Sequence, residues 1–457
     1  MIKSQSKGLT NDVSRFIYEY TFENIPLDAV QIIKNAFIDT IGVALAGKSE
    51  KCSKVVLDVV MEERAQGPAS IWGHSQKTSA SLAALVNGTM SHALDFDDVN
   101  SKATQAHPSA ALIPTILAAA QEVNASGKDM ILAYFVGFEV MAYIGKAITY
   151  DHYKNGWHGT ATMGVLGCIA AASKLYNLSE SQIENAFGIG VSHMSGTRQN
   201  FGTMTKPLHA GNAARSGIFS VKLAQKDFTA NRTIFEAPMG LFALYLQENK
   251  INLKEPIGNL FEIVNTKLSI KQYPCCYGSH RAVDGVKILL QKHQLKPEQI
   301  QEIRIIAPEN GFTPLINRLP QTGLAAKFSL EFPIAIMIYD GKVNITSFRD
   351  EVVLRPDIQD MMKKVIREED GSILIKQSAI EEGYVTVRIC LCDSTVVEER
   401  VEMPKGASEC PLTSEELEDK FLDCVSETLD QSQANKLLEC LSHFESINSV
   451  QDITCFL

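Results

Sequence analysis

HPSAALIPTILAAAQEVNASG (His107–Gly127) is the stretch that decides how this chain folds. Proline suits the first position of a helix because its missing N–H would go unpaired there, so Pro108 fixes where this helix begins. The run from Ala110 to Ala120 that follows is the longest apolar stretch, and it falls short of the ~18 residues that a membrane span needs. A buried helix explains it. Its small residues let neighbouring backbones approach closely, which predicts a tight bundle with several helices buried on all sides.

The same character extends outward in both directions. Residues 26–47, 79–98, 128–148, 160–178, 180–196 and 207–225 carry apolar residues at helical spacing and are rich in Ala, Gly and Ser. Ser179, with Gln182 three residues on, makes a capping box for one of them. Composition shifts near Lys267. Residues 268–274 and 301–308 read as strands, 280–294, 329–341 and 357–369 as helices, and 383–404 as a hairpin turning near Asp393-Ser394. The tail, residues 414–447, returns to helix. The expected fold is mainly α: a large all-helical domain formed by both chain ends (1–266 plus 403–457), with a smaller inserted α/β lid domain (267–402).

Bulk properties narrow the function. At 457 residues the chain is too long for one compact core. It is 45% hydrophobic and 21% charged, as soluble globular proteins are. A net charge of −10, with no dense Lys/Arg stretch, argues against nucleic acid. MIKSQSKGLTNDVSRFIYEY lacks the apolar core of a signal peptide and the Arg-rich pattern of a transit peptide. No membrane partner is expected. The ten cysteines show no Cys-x-x-Cys pair, so a reducing cytoplasm is the expected compartment.

Four helix starts carry a cationic or protonatable residue: His107-Pro108, His158-Gly159, Lys206-Pro207 and Ser279-His280-Arg281. A helix N-terminus is already partly positive and rich in free N–H donors. Lys or His there costs stability unless an anion arrives from outside. Singly each is an ordinary helix end; together they predict a pocket for a small polyanion. The 197–209 loop adds Arg198, Asn200 and Thr203, all able to bind carboxylates, and Arg281 follows His280. His209, one turn beyond Lys206, is expected only to pack against the helix end.

His92-Ala-Leu-Asp95-Phe-Asp97-Asp98 is the densest polar segment. Its three acids, with His92 and His107, bind a divalent metal, or the acids instead orient neighbouring histidines and lysine by charge. No phosphate-binding glycine loop and no Gly-x-Ser-x-Gly elbow is present. Histidines, a lysine and acids perform proton transfer beside a carboxylate, the step common to dehydration, decarboxylation and epimerisation of polycarboxylic acids, and it needs no cofactor.

HALDFDD, HPSAALIPTILAAAQE, GWHGTATMG and NFGTMTKPLHAGNAAR, in that order, resemble the MmgE/PrpD family. Its members include 2-methylcitrate dehydratase, cis-aconitate decarboxylase and iminodisuccinate epimerase. The resemblance implies a helical domain built from both chain ends, an inserted α/β lid, a homodimer, and catalysis without metal or organic cofactor. It implies that Asp95, His107, His158, Lys206 and His280 form the active site. Lys206 and histidines would bind carboxylates, His107 or His280 would exchange the proton, and Asp95 would tune an imidazole. The chain departs from the itaconate-forming members at Val99, where they carry a threonine, and at Phe332, where they carry a lid tyrosine.

The preferred expectation is therefore a cofactor-independent lyase acting on a di- or tricarboxylate. An epimerase of a dicarboxylate such as iminodisuccinate, a metal-dependent hydrolase and a non-catalytic carboxylate-binding protein stay open.

Overall fold

The computed structural model describes residues 8–148, 150–246, 253, 255–374 and 383–457. Residues 1–7, 149, 247–252 and 254 of the expected helical domain, and 375–382 of the expected lid, lie outside the described residues. The fold is mainly α, as the sequence predicts, with small sheets.

Two hydrophobic cores organise it. The larger draws on residues from Val13 to Leu268 and again from Leu417 to Ile453, so both chain ends contribute. The smaller runs from Tyr273 to Leu391. Helices Leu27–Gly47 and Gly127–Ile148 are long and apolar enough to cross a membrane, but their most apolar windows are 72% and 83% buried within the protein.

Small residues set how closely the helices pack. Helix Ala80–Ala93 crosses helix Thr205–Gln225 where Gly88 meets Gly211. A Cβ on Gly88 would sit 2.8 Å from the Gly211 Cα, and one on Gly211 would sit 2.2 Å from the Leu85 carbonyl oxygen. The crossing therefore tolerates no side chain on either helix, and it draws the end of the first helix toward the start of the second.

The predicted helix starts are in place. Pro108 opens helix Pro108–Val123, Gly159 opens Gly159–Leu175 with His158 as its cap, and His280 opens His280–His293. Pro207 is the third residue of its helix rather than the first, still within the turn whose N–H groups have no helical acceptor. The capping box forms: Gln182 N–H donates to Ser179 Oγ at 3.4 Å, and Ser179 N–H donates to Gln182 Oε1 at 3.1 Å.

Two expectations fail, one in the segment joining the cores and one beside the smaller core. Residues 268–274 form no strand; Ser269 alone pairs, exchanging backbone hydrogen bonds with Val99 at 2.9 Å. The helix expected over 357–369 ends at Lys363, and Val365–Leu374 is a strand instead. Local propensity favours helix there, but parallel pairing with strand Ile300–Glu309 wins. That strand also pairs antiparallel with Val385–Leu391, which forms the expected hairpin with Val396–Val401. Ser394 takes the left-handed conformation at its turn, φ 72°.

Candidate active site

Asp95 lies just beyond the end of helix Ala80–Ala93, in the left-handed conformation at φ 52°. Aspartate tolerates that region better than most residues, and the turn takes its carboxylate out of the helical path. Lys206, in the first turn of Thr205–Gln225, donates Nζ to Asp95 Oδ1 at 2.7 Å. Lys271 donates to the same oxygen at 2.9 Å and to the Asp95 carbonyl at 2.7 Å. Burial opposes ionisation of Asp95, but the two ammonium groups outweigh it and hold the carboxyl well below the usual carboxylate range. Burial likewise opposes the charge on Lys271, and Asp95 and Asp97 overcome it, raising the ammonium pKa.

Histidines surround this centre. His107 Nδ1 lies 2.8 Å from the Asp98 carbonyl oxygen and 3.2 Å from Asp97 Oδ2. Both are acceptors, so Nδ1 carries the hydrogen, and the neutral ring presents a bare Nε2. His92 Nδ1 donates to the same Asp97 carboxylate at 2.8 Å. The rings of His92 and His107 are 4.5 Å apart. Burial pushes His92 down to about 3 and lowers His107 as well, with Asp97 opposing in both cases. Both imidazoles are thus neutral near pH 7.

Close backbone contact brings His158 alongside. A Cβ on Gly159 would lie 2.0 Å from the Gln105 carbonyl oxygen, and His107 N–H donates to Thr160 Oγ1 at 3.0 Å. The two helix starts are thereby fastened together. Burial and then Lys206 hold His158 well below the ordinary imidazole range. His209 does more than pack: its Nδ1 lies 2.9 Å from His158 Nδ1.

Asp95, His107, His158, Lys206 and Lys271 line one cavity of about 610 Å³, its open mouth included. Tyr150, Tyr153, Phe201, Tyr277 and Phe328 supply aromatic walls, and Val99 and Cys276 also face it. The other expected residues sit outside this lining. His280 is fully buried against Tyr277, ring centroids 5.0 Å apart, with Nε2 on the Cys275 carbonyl oxygen at 3.3 Å and no partner at Nδ1 among the described residues. Arg281 Nε donates to the Glu402 carbonyl at 2.7 Å. Arg198 stacks its guanidinium on Tyr153 at 3.8 Å and donates to the Tyr153 carbonyl at 2.9 Å, bracing a cavity wall. Thr203, exposed, donates to the Asn200 carbonyl at 2.8 Å and so ties the loop to itself. Phe332 packs in the smaller core against Phe348.

The sequence reading missed Lys271, which is 1% exposed. A lysine inside a segment read as a strand, at the composition shift, was the available signal. His92, expected only as a candidate metal ligand, shares the Asp97 carboxylate with His107. Asp95, Asp97, His92 and His107 offer donor atoms within 4.8 Å of one another, a grouping able to hold a metal ion. Two lysine ammonium groups already occupy Asp95 Oδ1, and their charge opposes a divalent cation there.

Buried lysines balanced on one carboxylate, beside neutral histidines in a cavity between two cores, describe a site for proton transfer on small anions. The N-terminal domain model of the MmgE/PrpD family matches residues 11–254, and its C-terminal domain model matches residues 273–445. The chain belongs to the MmgE/PrpD family. It is 26% identical to cis-aconitate decarboxylase of Mus musculus over 468 residues, covering 99% of this chain and 93% of that protein. The human cis-aconitate decarboxylase is also 26% identical, with 99% and 95% covered. The mitochondrial 2-methylcitrate dehydratase of Yarrowia lipolytica is 24% identical, with 87% and 80% covered. Decarboxylase and dehydratase are both lyases.

Proposed function

We propose that this protein is a lyase that acts on a small di- or tricarboxylate by moving a proton next to a carboxylate, without metal or organic cofactor. The observation that carries the reading is the joint placement of Lys206 and Lys271 on Asp95 Oδ1 with His107, its Nδ1 committed to acceptors, lining the same cavity. Each ammonium has further donors beyond those spent on Asp95, and these bind substrate carboxylates. The same charges stabilise the enolate that develops when an adjacent carbon loses a proton or carbon dioxide.

His107 is the first of two proton carriers in this mechanism. Neutral, its Nε2 takes the proton from the carbon next to a carboxylate of a β-hydroxy acid, and the imidazolium so formed gives a proton to the β-hydroxyl, which leaves as water. Charged, it returns a proton to the carbon left electron-rich by decarboxylation. Asp97 stabilises the charged form from behind, at 3.2 Å from Nδ1. His158, beside His107 in the same cavity, is the second carrier. The relatives' named substrates, cis-aconitate and 2-methylcitrate, are both tricarboxylates of this chemistry. A homodimer in solution, as the family resemblance implies, belongs to the same reading and is checked by sedimentation.

An epimerase is the rival because both His107 and His158 face the cavity, rings 6.5 Å apart. Two proton carriers around one carbon suffice for inversion. Proton NMR in deuterated water with chelator decides between them, using cis-aconitate, 2-methylcitrate, citrate and iminodisuccinate. Loss of carbon dioxide or water supports the lyase. Deuterium entering an unchanged skeleton, with a new diastereomer, replaces it with the epimerase. Activity that needs added metal overturns the cofactor-free reading in favour of a hydrolase, and binding without turnover favours a carboxylate-binding protein.

A further inference from the structure

His158 and His209 face each other through like atoms, Nδ1 to Nδ1, at 2.9 Å. Two neutral imidazoles make such a contact only if one Nδ1 bears hydrogen and the other does not. The pair therefore holds a single hydrogen between the two rings. If His209 donates it, His158 carries its own hydrogen on Nε2 and offers a donor to the cavity. If His158 donates it, its Nε2 is bare and offers a base. Among the described residues no other hydrogen bond fixes either ring's tautomer, unlike His107, whose Nδ1 is committed to acceptors.

We propose that His209 is a positioning residue that sets which form His158 presents to the cavity and receives its Nδ1 proton during the reaction. This rests on the proton-transfer reading above. In the forward step a substrate proton moves to the bare His158 Nε2, leaving its electron pair on the substrate as an enolate. The His158 Nδ1–H then moves to the bare Nδ1 of His209. That ring, already bearing Nε2–H, becomes the imidazolium, and His158 ends neutral as the Nε2–H tautomer. Running the steps backward delivers a proton to carbon.

The surroundings favour charge on the outer ring. His158 is 2% exposed and His209 6% exposed. His158 faces the rings of His92 at 5.8 Å, His107 at 6.5 Å and Phe201 at 5.0 Å, and the Lys206 ammonium repels positive charge on it. His209 meets Lys206 as well, yet burial pushes it down only to about 4, against well below the ordinary range for His158. Of the two, His209 is the easier to protonate.

The first test needs no substrate. Side-chain nitrogen NMR of ¹⁵N-histidine-labelled protein, assigned with single-histidine variants, should show His158 and His209 as opposite tautomers. Finding both with hydrogen on Nε2 overturns the shared hydrogen. The second test is kinetic, with cis-aconitate or whichever acid the protein turns over. His209→Phe should lower kcat about 100-fold with KM within about threefold, and should shift the pH profile of kcat. His209→Asn places an amide where Nδ1 was; it can orient His158 but not take its proton. It should recover folding and KM, but only part of kcat. Unchanged kcat and pH profile in His209→Phe overturns the relay. If the wild type turns over no acid, the lyase reading fails while the tautomer measurement still decides the pair.

Discussion

Lys271 grips Asp95 twice, donating to its carboxylate at 2.9 Å and to its backbone carbonyl at 2.7 Å. The lysine comes from the segment that joins the two cores and the aspartate from a helix end of the larger one, so the bond fastens the site across the junction. Its own carbonyl accepts from Lys420 Nζ at 2.8 Å, which ties in the C-terminal helix Ser414–Val425. Replacing Lys271→Met keeps the length of the side chain and removes the charge. It should cost about 1–3 kcal/mol of stability, less than a fully orphaned charge because Lys206 still holds Asp95. Urea unfolding measures it, and an unchanged midpoint would show that the contact is dispensable.

Lys206 is expected to matter more for substrate than for folding. Lys206→Ala leaves Asp95 paired with Lys271, so the protein should fold. The lost charge-assisted contact should raise KM about 10- to 100-fold and lower kcat as well. Lys206→Glu should be worse, since it sets two carboxylates side by side. Normal kinetics in Lys206→Ala would remove the anion pocket from this location.

For His107, the decisive feature is the bare Nε2. His107→Asn retains a donor where Nδ1 meets the Asp98 carbonyl but cannot take up or release a proton. The expected loss is about 10²–10⁴ in kcat with KM little changed. A variant that loses affinity and keeps kcat would mark His107 as a binding group.

Stability should peak near neutrality, for opposite reasons on the two sides. Burial pushes both Asp98 and Glu139 up to about 8. Between about pH 4 and pH 8 the folded protein thus keeps protons that the unfolded chain releases, and stability falls as pH rises. Histidines act in reverse. With His92 near 3 and His209 near 4, the unfolded chain binds protons below about pH 6.5 that the folded one refuses, so stability falls as pH drops. Asp98→Asn should remove its share of the fall across the whole window from about pH 4 to pH 8, up to ~1.4 kcal/mol per pH unit, flattening the alkaline limb and steepening the acid one. Thermal melts from pH 5 to 9 read this directly, and an alkaline limb unchanged in the variant would refute it.

Much of the helical architecture is legible in the chain because its signals are local. Pro108 marks a helix start by its missing N–H, and Ser179 with Gln182 closes a cap within one turn. The strand Val365–Leu374 is not legible, because its sequence suits a helix and only a parallel partner more than fifty residues away makes it a strand. The 268–274 segment errs the other way: it alternates like a strand but has only Val99 to pair with.

The site divides along the same line. By itself the sequence determined that Asp95, His107, His158 and Lys206 stand at helix ends, since proline, glycine and periodicity place those ends from nearby residues alone. The tertiary structure decided what they touch. The Gly88–Gly211 crossing brings Lys206 to Asp95, the junction segment delivers Lys271 to the same oxygen, and Gly159 against Gln105 draws His158 beside His107. It also set His280, Arg281, Arg198 and Thr203 outside the cavity lining and made His209 a partner of His158. Helix ends follow from hydrogen bonds a few residues apart, whereas a hydrogen bond between Lys271 and Asp95 exists only after both cores have closed.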